Sequence, residues 1–201
     1  MITFIVTTYN LEDYLLQRCI GSIVSQGLAR NEYEIIVVDD ESDTPPQHVV
    51  NEFAPKANIS LLVQKHARQG AARNLALQHA RGEWIQFVDG DDYLFEHSIP
   101  PLLKLAQDKE LDLLSFGFCK VYDITAIKEP ADKQQQNSHN EAKASISITC
   151  GNDYMLSHNL FGGCWVLIFR RSILDNPKYG HPLRFTENIY IEDEEFTTKL
   201  V

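Results

Sequence analysis

The sequence predicts an α/β protein with a Rossmann-like, mostly parallel sheet flanked by helices on both faces. Short apolar runs alternate with helical patterns along residues 2 to 107, the order in which crossover helices join parallel strands. These runs lack polar alternation, as in strands that are buried on both faces. Each run also ends in polar residues, as expected where parallel strands open onto a ligand cleft.

The individual elements follow from local signals. Apolar runs predict strands at 2–7, 34–38, 59–63, 84–88 and 111–121. The first helix is predicted to be capped by Asn10 and ended by Gly27. Further helices are predicted at 47–53, at 71–80 with Gly82 as terminator, at 99–107 and at 151–158. The final residues, EDEEFTTKLV, are helix-like, whereas residues 123–145 are polar and typical of a long surface loop.

Composition favours one globular domain and excludes several classes of protein. The chain has 201 residues, 44% of them hydrophobic, and a formal net charge of -10, which argues against nonspecific nucleic-acid binding. No CxxC pair suggests a zinc site, and no apolar segment approaches the roughly 20 residues that span a bilayer. Cys19 and Cys119 lie in apolar runs and are predicted to be buried thiols, which suits the cytoplasm.

The sharpest motif is Asp89-Gly90-Asp91-Asp92, directly after an apolar run. Three carboxylates within four residues repel one another and so favour a bound cation. Mg²⁺ and Mn²⁺ prefer oxygen ligands and often share them with substrate phosphates, so Asp89 and Asp91 are predicted to hold one of these ions. A solvated acidic turn is the bland alternative. Asp91 is favoured as the direct ligand and Asp89 as its partner, with Asp92 as a cap of the next helix.

Other metal and phosphate sites fit this motif less well. An EF-hand starting at Asp89 would need Gly at position 94 and Glu at position 100, where the chain has Leu94 and Pro100. No GxxxxGK[ST] or GxGxxG pattern occurs. A haloacid-dehalogenase-like phosphatase also places Asp-x-Asp after an apolar strand, with Asp89 as nucleophile. It stays open as an alternative, although its motif belongs on the first strand.

Two other strand ends supply polar groups for the same cleft. They are Thr8-Tyr9 after the first strand and Asp39-Asp40 after the second, and either carboxylate of the pair could accept a base N–H or shape a turn. Arg73 could bind a diphosphate through charge-assisted hydrogen bonds. The acids at 192–195 either stabilise a helix N-terminus or provide a carboxylate base.

Together these segments resemble the family 2 glycosyltransferases with the GT-A fold. FIVTTYN resembles the family's first strand, IIVVDDESD its VDDGS segment, and QGAARNLALQHARGEWIQFVDGDD its ARN and DxD region. CWVLIFRRSIL resembles the acceptor-side segment and FTENIYIEDEEF the late Glu-Asp motif. The resemblance implies one domain, with a nucleotide-sugar-binding half at 1–122, a polar loop at 123–147 and a truncated acceptor-side half at 148–201.

The resemblance also implies a role for each candidate residue. Thr8 and Tyr9 would border the uridine. Asp39 or Asp40 would contact the uracil, Arg73 would approach the base or the diphosphate, and Asp89 would lie near the ribose and the metal. Asp91 would ligate Mg²⁺ or Mn²⁺. On the acceptor side, the resemblance implies that Asp193 is the general base and that Trp165 and Glu192 lie near the acceptor.

The implied reaction is an inverting transfer of a sugar from a nucleotide-diphosphate sugar, UDP-linked by expectation, to a hydroxyl of a glycan or glycolipid. Two departures from the family pattern are Thr8 for the frequent Pro and Glu41 for the Gly of VDDGS, a position that favours a flexible backbone. Family members usually continue with helices that complete the acceptor site or contact the inner face of the membrane. A non-catalytic nucleotide-sugar-binding module is therefore a further alternative.

Overall fold

The computed structural model describes residues 1–120, 147–149, 162–177 and 180–201. The chain divides into two compact units, one made of Met1–Phe116 with Leu160–Val201 and one made of Gly117–Asn159. All elements discussed below belong to the first unit. The division into halves at 1–122 and 148–201 stays a prediction, and the helix predicted at 151–158 lies outside the described residues.

Six strands of the described residues form one sheet in the order β3-β2-β1-β4-β6-β5. Their bounds are β1 Ile2–Thr8, β2 Tyr33–Asp39, β3 Ile59–Val63, β4 Trp84–Asp89, β5 Leu113–Ser115 and β6 Leu167–Arg170. The first four are parallel to one another, and β6 runs antiparallel between β4 and β5. The sheet is therefore mostly parallel, as predicted, with an antiparallel β6 that the sequence did not reveal.

Helices cover both faces of this sheet. Their bounds are α1 Asp13–Val24, α2 Gln47–Phe53, α3 Arg68–His79, α4 Ile99–Asp108 and α5 Glu192–Leu200. Apolar side chains of α1, α2 and α4 form a core with one face of β1, β2 and β4, and those of α3 and α5 form a second core with the other face. Each buried Val, Leu, Ile or Phe in these cores contributes about 1.5–3 kcal/mol. Strands β1, β2 and β4 are buried on both faces, which explains their mainly apolar sequences.

Two helix starts differ from the prediction because partners distant in sequence decide them. Asn10 does not cap α1, which begins at Asp13; instead its amide oxygen accepts the N–H of Asp43 at 2.8 Å, and its own N–H donates to Ser42. Helix α3 begins at Arg68 rather than at residue 71. Its first N–H groups donate to a carboxylate from the β2 end, which extends the helix by one turn.

Two further predictions were wrong. The strand predicted at 111–121 is shortened to β5, because its partner β6 is only four residues long and pairing ends at Ser115 opposite Leu167. Cys119 is exposed, whereas Cys19 is buried as predicted. Among the helices that the structure describes, none has the length and apolar character needed to cross a membrane.

The N-terminal edge of the parallel strands is closed by a hydrogen-bonded cluster of Thr3, Glu34, Arg81 and Gly82. The Thr3 hydroxyl and the Arg81 backbone N–H each donate to Glu34 Oε1 at 2.7 Å, and Arg81 Nε donates to Oε2 at 2.9 Å. Gly82 N–H donates to Thr3 Oγ1 at 2.9 Å. A Cβ at Gly82 would lie 2.6 Å from the Thr3 nitrogen, so Gly82 permits this close approach rather than ending α3.

Candidate active site

The candidate site lies at the opposite edge, beyond the carboxyl ends of β1, β2 and β4. Parallel pairing sets Thr8 beside Asp39 and Thr7 beside Asp89. Gly90 N–H donates to the Thr7 carbonyl at 3.1 Å, and a Cβ at Gly90 would come within 2.9 Å of that oxygen. Glycine therefore lets the turn after β4 lie tightly against β1, and the three polar strand ends meet as the sequence predicted.

Asp89 is held at the end of β4 by two donors from α3. Gln69 Nε2 donates to Asp89 Oδ1 at 2.6 Å, and Arg73 Nη2 donates to the same oxygen at 2.9 Å. Burial raises the pKa of Asp89, and the Arg73 guanidinium opposes that rise. The side chain is 24% exposed, and because both bonds use Oδ1, the second oxygen can serve a ligand.

Asp91 and Asp92 lie on the exposed side of the same turn. Asp92 N–H donates to the Asp89 carbonyl at 2.9 Å, which closes the turn. Partial burial and repulsion from Asp89 and Asp91 raise the pKa of Asp92 to about 6. Asp92 is not a helix cap, since α4 begins only at Ile99. The carboxylates thus carry the mutual repulsion that a cation would relieve.

One face of α1 holds the segment from Asp89 to Ile99 in place, a feature that sequence reasoning missed. Arg18 donates to the Asp91 carbonyl at 2.8 Å and stacks on Tyr93 at 4.7 Å. Further contacts from α1 and the residues just after it reach the same segment: Cys19 Sγ to the Asp89 carbonyl, Leu94 N–H to Ser22, and Gln26 to both Phe95 and Ile99. The sequence shows that these residues are spaced along a helix, but it does not show which groups they form hydrogen bonds with.

Asp39 and Asp40 are both buried and already hydrogen-bonded. Asp39 accepts from the hydroxyl and the N–H of Ser42. Asp40 accepts the N–H groups of Ala67 and Arg68 at 2.9 Å each and the Gln64 side chain at 2.6 Å. Asp40 therefore caps the N-terminus of α3, a role that its sequence position did not indicate.

Tyr9 and His66 form an open aromatic pair beside these carboxylates. Tyr9 is 51% exposed, and its ring lies 4.7 Å from the His66 ring at an interplanar angle of 35°. His66 Nδ1 lies 2.9 Å from Asp40 Oδ2. Thr8 is buried, and its carbonyl accepts the Asp40 N–H at 3.0 Å. His66 was not predicted as part of the site, because nothing near it in the sequence suggests an aromatic partner.

Glu41 and Arg68 adopt left-handed backbone conformations at the rim of the site. Their φ angles are 67° and 72°, in the region that favours glycine and costs other residues about 1–2 kcal/mol. The Glu41 carboxylate accepts the His66 N–H at 3.0 Å, which offsets part of that cost. The departure of Glu41 from the family's glycine thus retains the backbone geometry at the expense of strain.

Arg73 connects the end of β4 to the start of α5. Its side chain is 1% exposed. Nη2 donates to Asp89, while Nη1 contacts Asp193 and lies 3.7 Å from Glu192 Oε1. Its guanidinium also lies over the rings of Phe87 and Phe185 at 5.6 and 5.3 Å. A single buried cation therefore joins three carboxylates, and two of them come from a helix more than 100 residues away in sequence.

The acidic start of α5 borders a cleft. Glu192, Asp193, Glu194 and Glu195 occupy its first turn, where the helix dipole favours acids. A cleft of about 350 Å³ is lined by Gly162, Gly163 and residues 190–194. The Asp193 side chain is 26% exposed, and Cys164 Sγ lies 3.4 Å from its Oδ1. Trp165 is half-buried and packs against the second core.

A family profile, Glycosyl transferase family 2, matches residues 3–176. The chain belongs to glycosyl transferase family 2. It is 31% identical over 98% of its length to the poly(ribitol-phosphate) beta-glucosyltransferase of Bacillus spizizenii, of which it covers 30%. Family membership confirms the prediction of a glycosyltransferase and removes the phosphatase from consideration.

Solved structures confirm the GT-A fold. The match to Staphylococcus aureus TarS 1-349 in complex with UDP-GlcNAc has a TM-score of 0.75 and 24% identity, covering 99% of this chain and 52% of that one. The mannosyltransferase PcManGT from Pyrobaculum calidifontis, in complex with GDP-Man and Mn²⁺, matches with a TM-score of 0.64 and 20% identity over 99% of this chain and 51% of its own. The chain thus spans about half, or less, of the length of these relatives.

The donor atoms at the site fit a hard divalent cation. Among the described residues, no three His, Cys, Asp or Glu side chains are grouped to enclose a metal. Mg²⁺ and Mn²⁺ do not require such a cage, since they bind through one or two carboxylates plus water and substrate phosphate. The partly exposed Asp89 and the exposed Asp91 offer that kind of open, oxygen-only site.

Proposed function

We propose that this chain is the donor-binding and catalytic part of an enzyme that transfers a sugar from a UDP-sugar to a hydroxyl of a cell-wall glycopolymer, with inversion. The observation that carries the proposal is the bridge from Asp89 through the buried Arg73 to Asp193. It supports the proposal because the carboxylate assigned to the donor and the candidate base belong to one network beside an open cleft. The relatives' poly(ribitol-phosphate) acceptor and bound UDP-GlcNAc support this class of substrates.

On the donor side, Thr8 and the Tyr9–His66 pair would border the uracil. Asp39 is the better candidate for the contact with the base N–H. Within the part of the chain that the structure describes, its carboxylate accepts only from Ser42, whereas Asp40 accepts from Gln64 and two N–H groups of the α3 terminus. A carboxylate has about four acceptor positions, so Asp39 retains more capacity for a ligand.

Asp89 and Asp91 would hold Mg²⁺ or Mn²⁺. A bound cation would neutralise charge on the donor's diphosphate and so favour its departure. The family resemblance implies that Arg73 approaches the base or the diphosphate. Its burial and its contacts with Asp89 and Asp193 support a different role, in which it fixes the two carboxylates relative to each other.

On the acceptor side, Asp193 would act as general base in a single displacement. It takes the proton from the acceptor hydroxyl as the acceptor oxygen forms a bond to the anomeric carbon. The bond from that carbon to the UDP oxygen breaks, and UDP leaves with the electron pair. Glu192 and Trp165 would line the acceptor region, and Glu192 also shares Arg73.

The proposal includes a cytoplasmic location at the inner face of the membrane. The free, buried thiols of Cys19 and Cys164 agree with a reducing compartment. Cell fractionation of the full-length protein tests this part. Recovery from an oxidising, extracellular fraction would contradict it.

Calorimetry with UDP and Mn²⁺, with and without EDTA, tests the donor half, and sugar transfer from UDP-GlcNAc or UDP-glucose to poly(ribitol phosphate) tests the acceptor half. We expect Asp91→Ala to abolish metal-dependent UDP binding. We expect Asp193→Ala to spare UDP binding and to lower transfer by about 10²–10⁴-fold. Retained transfer in the Asp193 variant would refute its role as base. UDP binding by the wild type without transfer would instead indicate a non-catalytic binding module.

A further inference from the structure

The thiol of Cys164 contacts the carboxylate that we propose as the base. Cys164 is fully buried, and its Sγ lies 3.4 Å from Asp193 Oδ1, within the hydrogen-bonding range for sulfur. Burial raises the pKa of the Cys164 thiol well above its usual value, and the nearby Asp193 carboxylate raises it further. The group is therefore a neutral S–H donor at physiological pH, and its burial excludes a nucleophilic role.

The chain builds this contact with a glycine pair. Gly162 and Gly163 precede the short 3-10 helix that carries Cys164. A Cβ at Gly162 would lie 2.0 Å from Glu194 Cγ, so only glycine lets this segment lie against the first turn of α5. Beyond the 3-10 helix, β6 pairs with β4. The thiol is thus anchored to the strand that ends in Asp89.

Two donors converge on one oxygen of Asp193. Arg73 Nη1 and Cys164 Sγ both contact Oδ1. They come from α3 and from the segment before β6, so neither moves with α5. The remaining oxygen, Oδ2, belongs to a side chain that is 26% exposed beside the cleft. The other charged groups of this network are Asp89, at the end of β4, and Glu192, on the same helix as Asp193.

We propose that Cys164 is a positioning residue for Asp193: its thiol and Arg73 hold Oδ1, so that Oδ2 is the oxygen presented to the acceptor hydroxyl. This inference rests on the proposed function, in which Asp193 is the base. A carboxylate with only one fixed donor can rotate about its terminal torsion, which is broad and roughly two-fold. A second donor from another direction restricts that rotation and stabilises the charged form.

The deciding experiment is a pH titration of the Asp193 carboxyl carbon by NMR, with the signal assigned through Asp193→Asn. It compares the wild type with Cys164→Ala, Cys164→Ser and Val166→Ala. Val166 is a matched control, because it is buried on the same 3-10 helix and its apolar side chain cannot donate a hydrogen bond to Asp193. This measurement needs neither substrate nor acceptor.

Losing a donor to a carboxylate favours protonation, so Cys164→Ala should move the titration midpoint up by about half to one pH unit. Cys164→Ser keeps a hydroxyl donor, so its titration midpoint should lie closer to that of the wild type than the midpoint of Cys164→Ala does. It also keeps the test usable should the alanine variant not fold. Val166→Ala should lower stability without moving the midpoint. An unmoved midpoint in both Cys164 variants, or an equal shift in Val166→Ala, would overturn the assignment.

Release of UDP from UDP-GlcNAc in the presence of Mn²⁺ gives the kinetic companion measurement. Cys164→Ala should lower kcat by about 3- to 10-fold, through loss of one hydrogen bond to a charged group, and should leave the donor KM within about twofold. A wild type that releases no UDP, in an assay with poly(ribitol phosphate) added, would refute the proposed function while the NMR titration still decides the role of Cys164. A raised donor KM with unchanged kcat would count against positioning.

Discussion

The two edges of the parallel sheet each carry an arginine–carboxylate network, but the balance of charge differs. At the N-terminal edge, Arg81 meets one carboxylate, Glu34, whose two oxygens both accept hydrogen bonds. At the C-terminal edge, Arg73 meets three carboxylates, and the Asp91 and Asp92 side chains lie on the adjoining turn.

The difference separates a stabilising cluster from a binding site. In the balanced cluster both oxygens of the Glu34 carboxylate are already hydrogen-bonded, so the cluster mainly holds the chain together. Partial burial, together with repulsion from Asp89 and Asp91, raises the pKa of Asp92 to about 6, and the excess of carboxylates favours any cation that can enter. Backbone strain is also found at the C-terminal edge, at Glu41 and Arg68, in keeping with its occurrence at functional sites.

Replacing the arginine of each network should give the largest difference in stability between the two edges of the sheet. Arg73→Met leaves Asp89 and Asp193 without their buried partner, and we expect a loss of about 3–5 kcal/mol in the free energy of unfolding. Arg81→Met should cost only about 1 kcal/mol, because the Arg81 side chain is 70% exposed and Glu34 keeps two other donors. Denaturant unfolding of both variants measures the difference. Equal losses would contradict the distinction between the two edges.

The pH dependence of stability should reveal the balanced cluster. Burial raises the pKa of Glu34, but hydrogen bonds from Thr3 and Arg81 outweigh it, so the pKa lies below its ordinary value of 4.5. A lowered folded-state pKa gives stability that is present above pH 4.5 and is lost as the pH falls through the folded-state value.

Glu34→Gln removes that dependence, and at pH 7 it should lower the free energy of unfolding by about 1–2 kcal/mol. Between pH 5 and pH 3, roughly the range in which glutamates titrate, the wild type should lose more stability than the variant. Denaturant unfolding across that range tests this. Parallel curves for the two proteins would show that Glu34 is not the group responsible.

The smallest expected effect concerns strain at the site edge. Glu41→Gly should relieve the left-handed backbone but lose the contact with the His66 N–H, for a net gain of about 0.5–1 kcal/mol. Asn188→Gly is the matched control, since Asn188 has a φ of 64° and asparagine tolerates this region better. The midpoint temperature of thermal unfolding should rise less in Asn188→Gly than in Glu41→Gly. A loss of stability in Glu41→Gly would show that the carboxylate contact outweighs the strain.

Much of the fold could be predicted because its signals are local. The uninterrupted apolar runs of β1, β2 and β4 reflect burial on both faces, and the Asp89-Gly90-Asp91 turn follows directly from its strand. The antiparallel β6 could not be predicted in the same way. Its four residues pair with strands that lie far away in sequence, and nothing within them indicates a direction.

In the candidate site, too, the local features could be predicted from the sequence and the contacts between distant residues could not. Sequence alone determined that polar residues follow three strand ends, two of them with carboxylates, and that parallel strands bring those ends together, because side-chain chemistry and strand direction are local properties. Only the tertiary structure decided that Asp40 caps α3, that Arg73 is buried between Asp89 and Asp193, and that the Cys164 thiol contacts the Asp193 carboxylate. These are contacts between residues 16 to 120 positions apart in sequence, and packing of the helices on the sheet selects them.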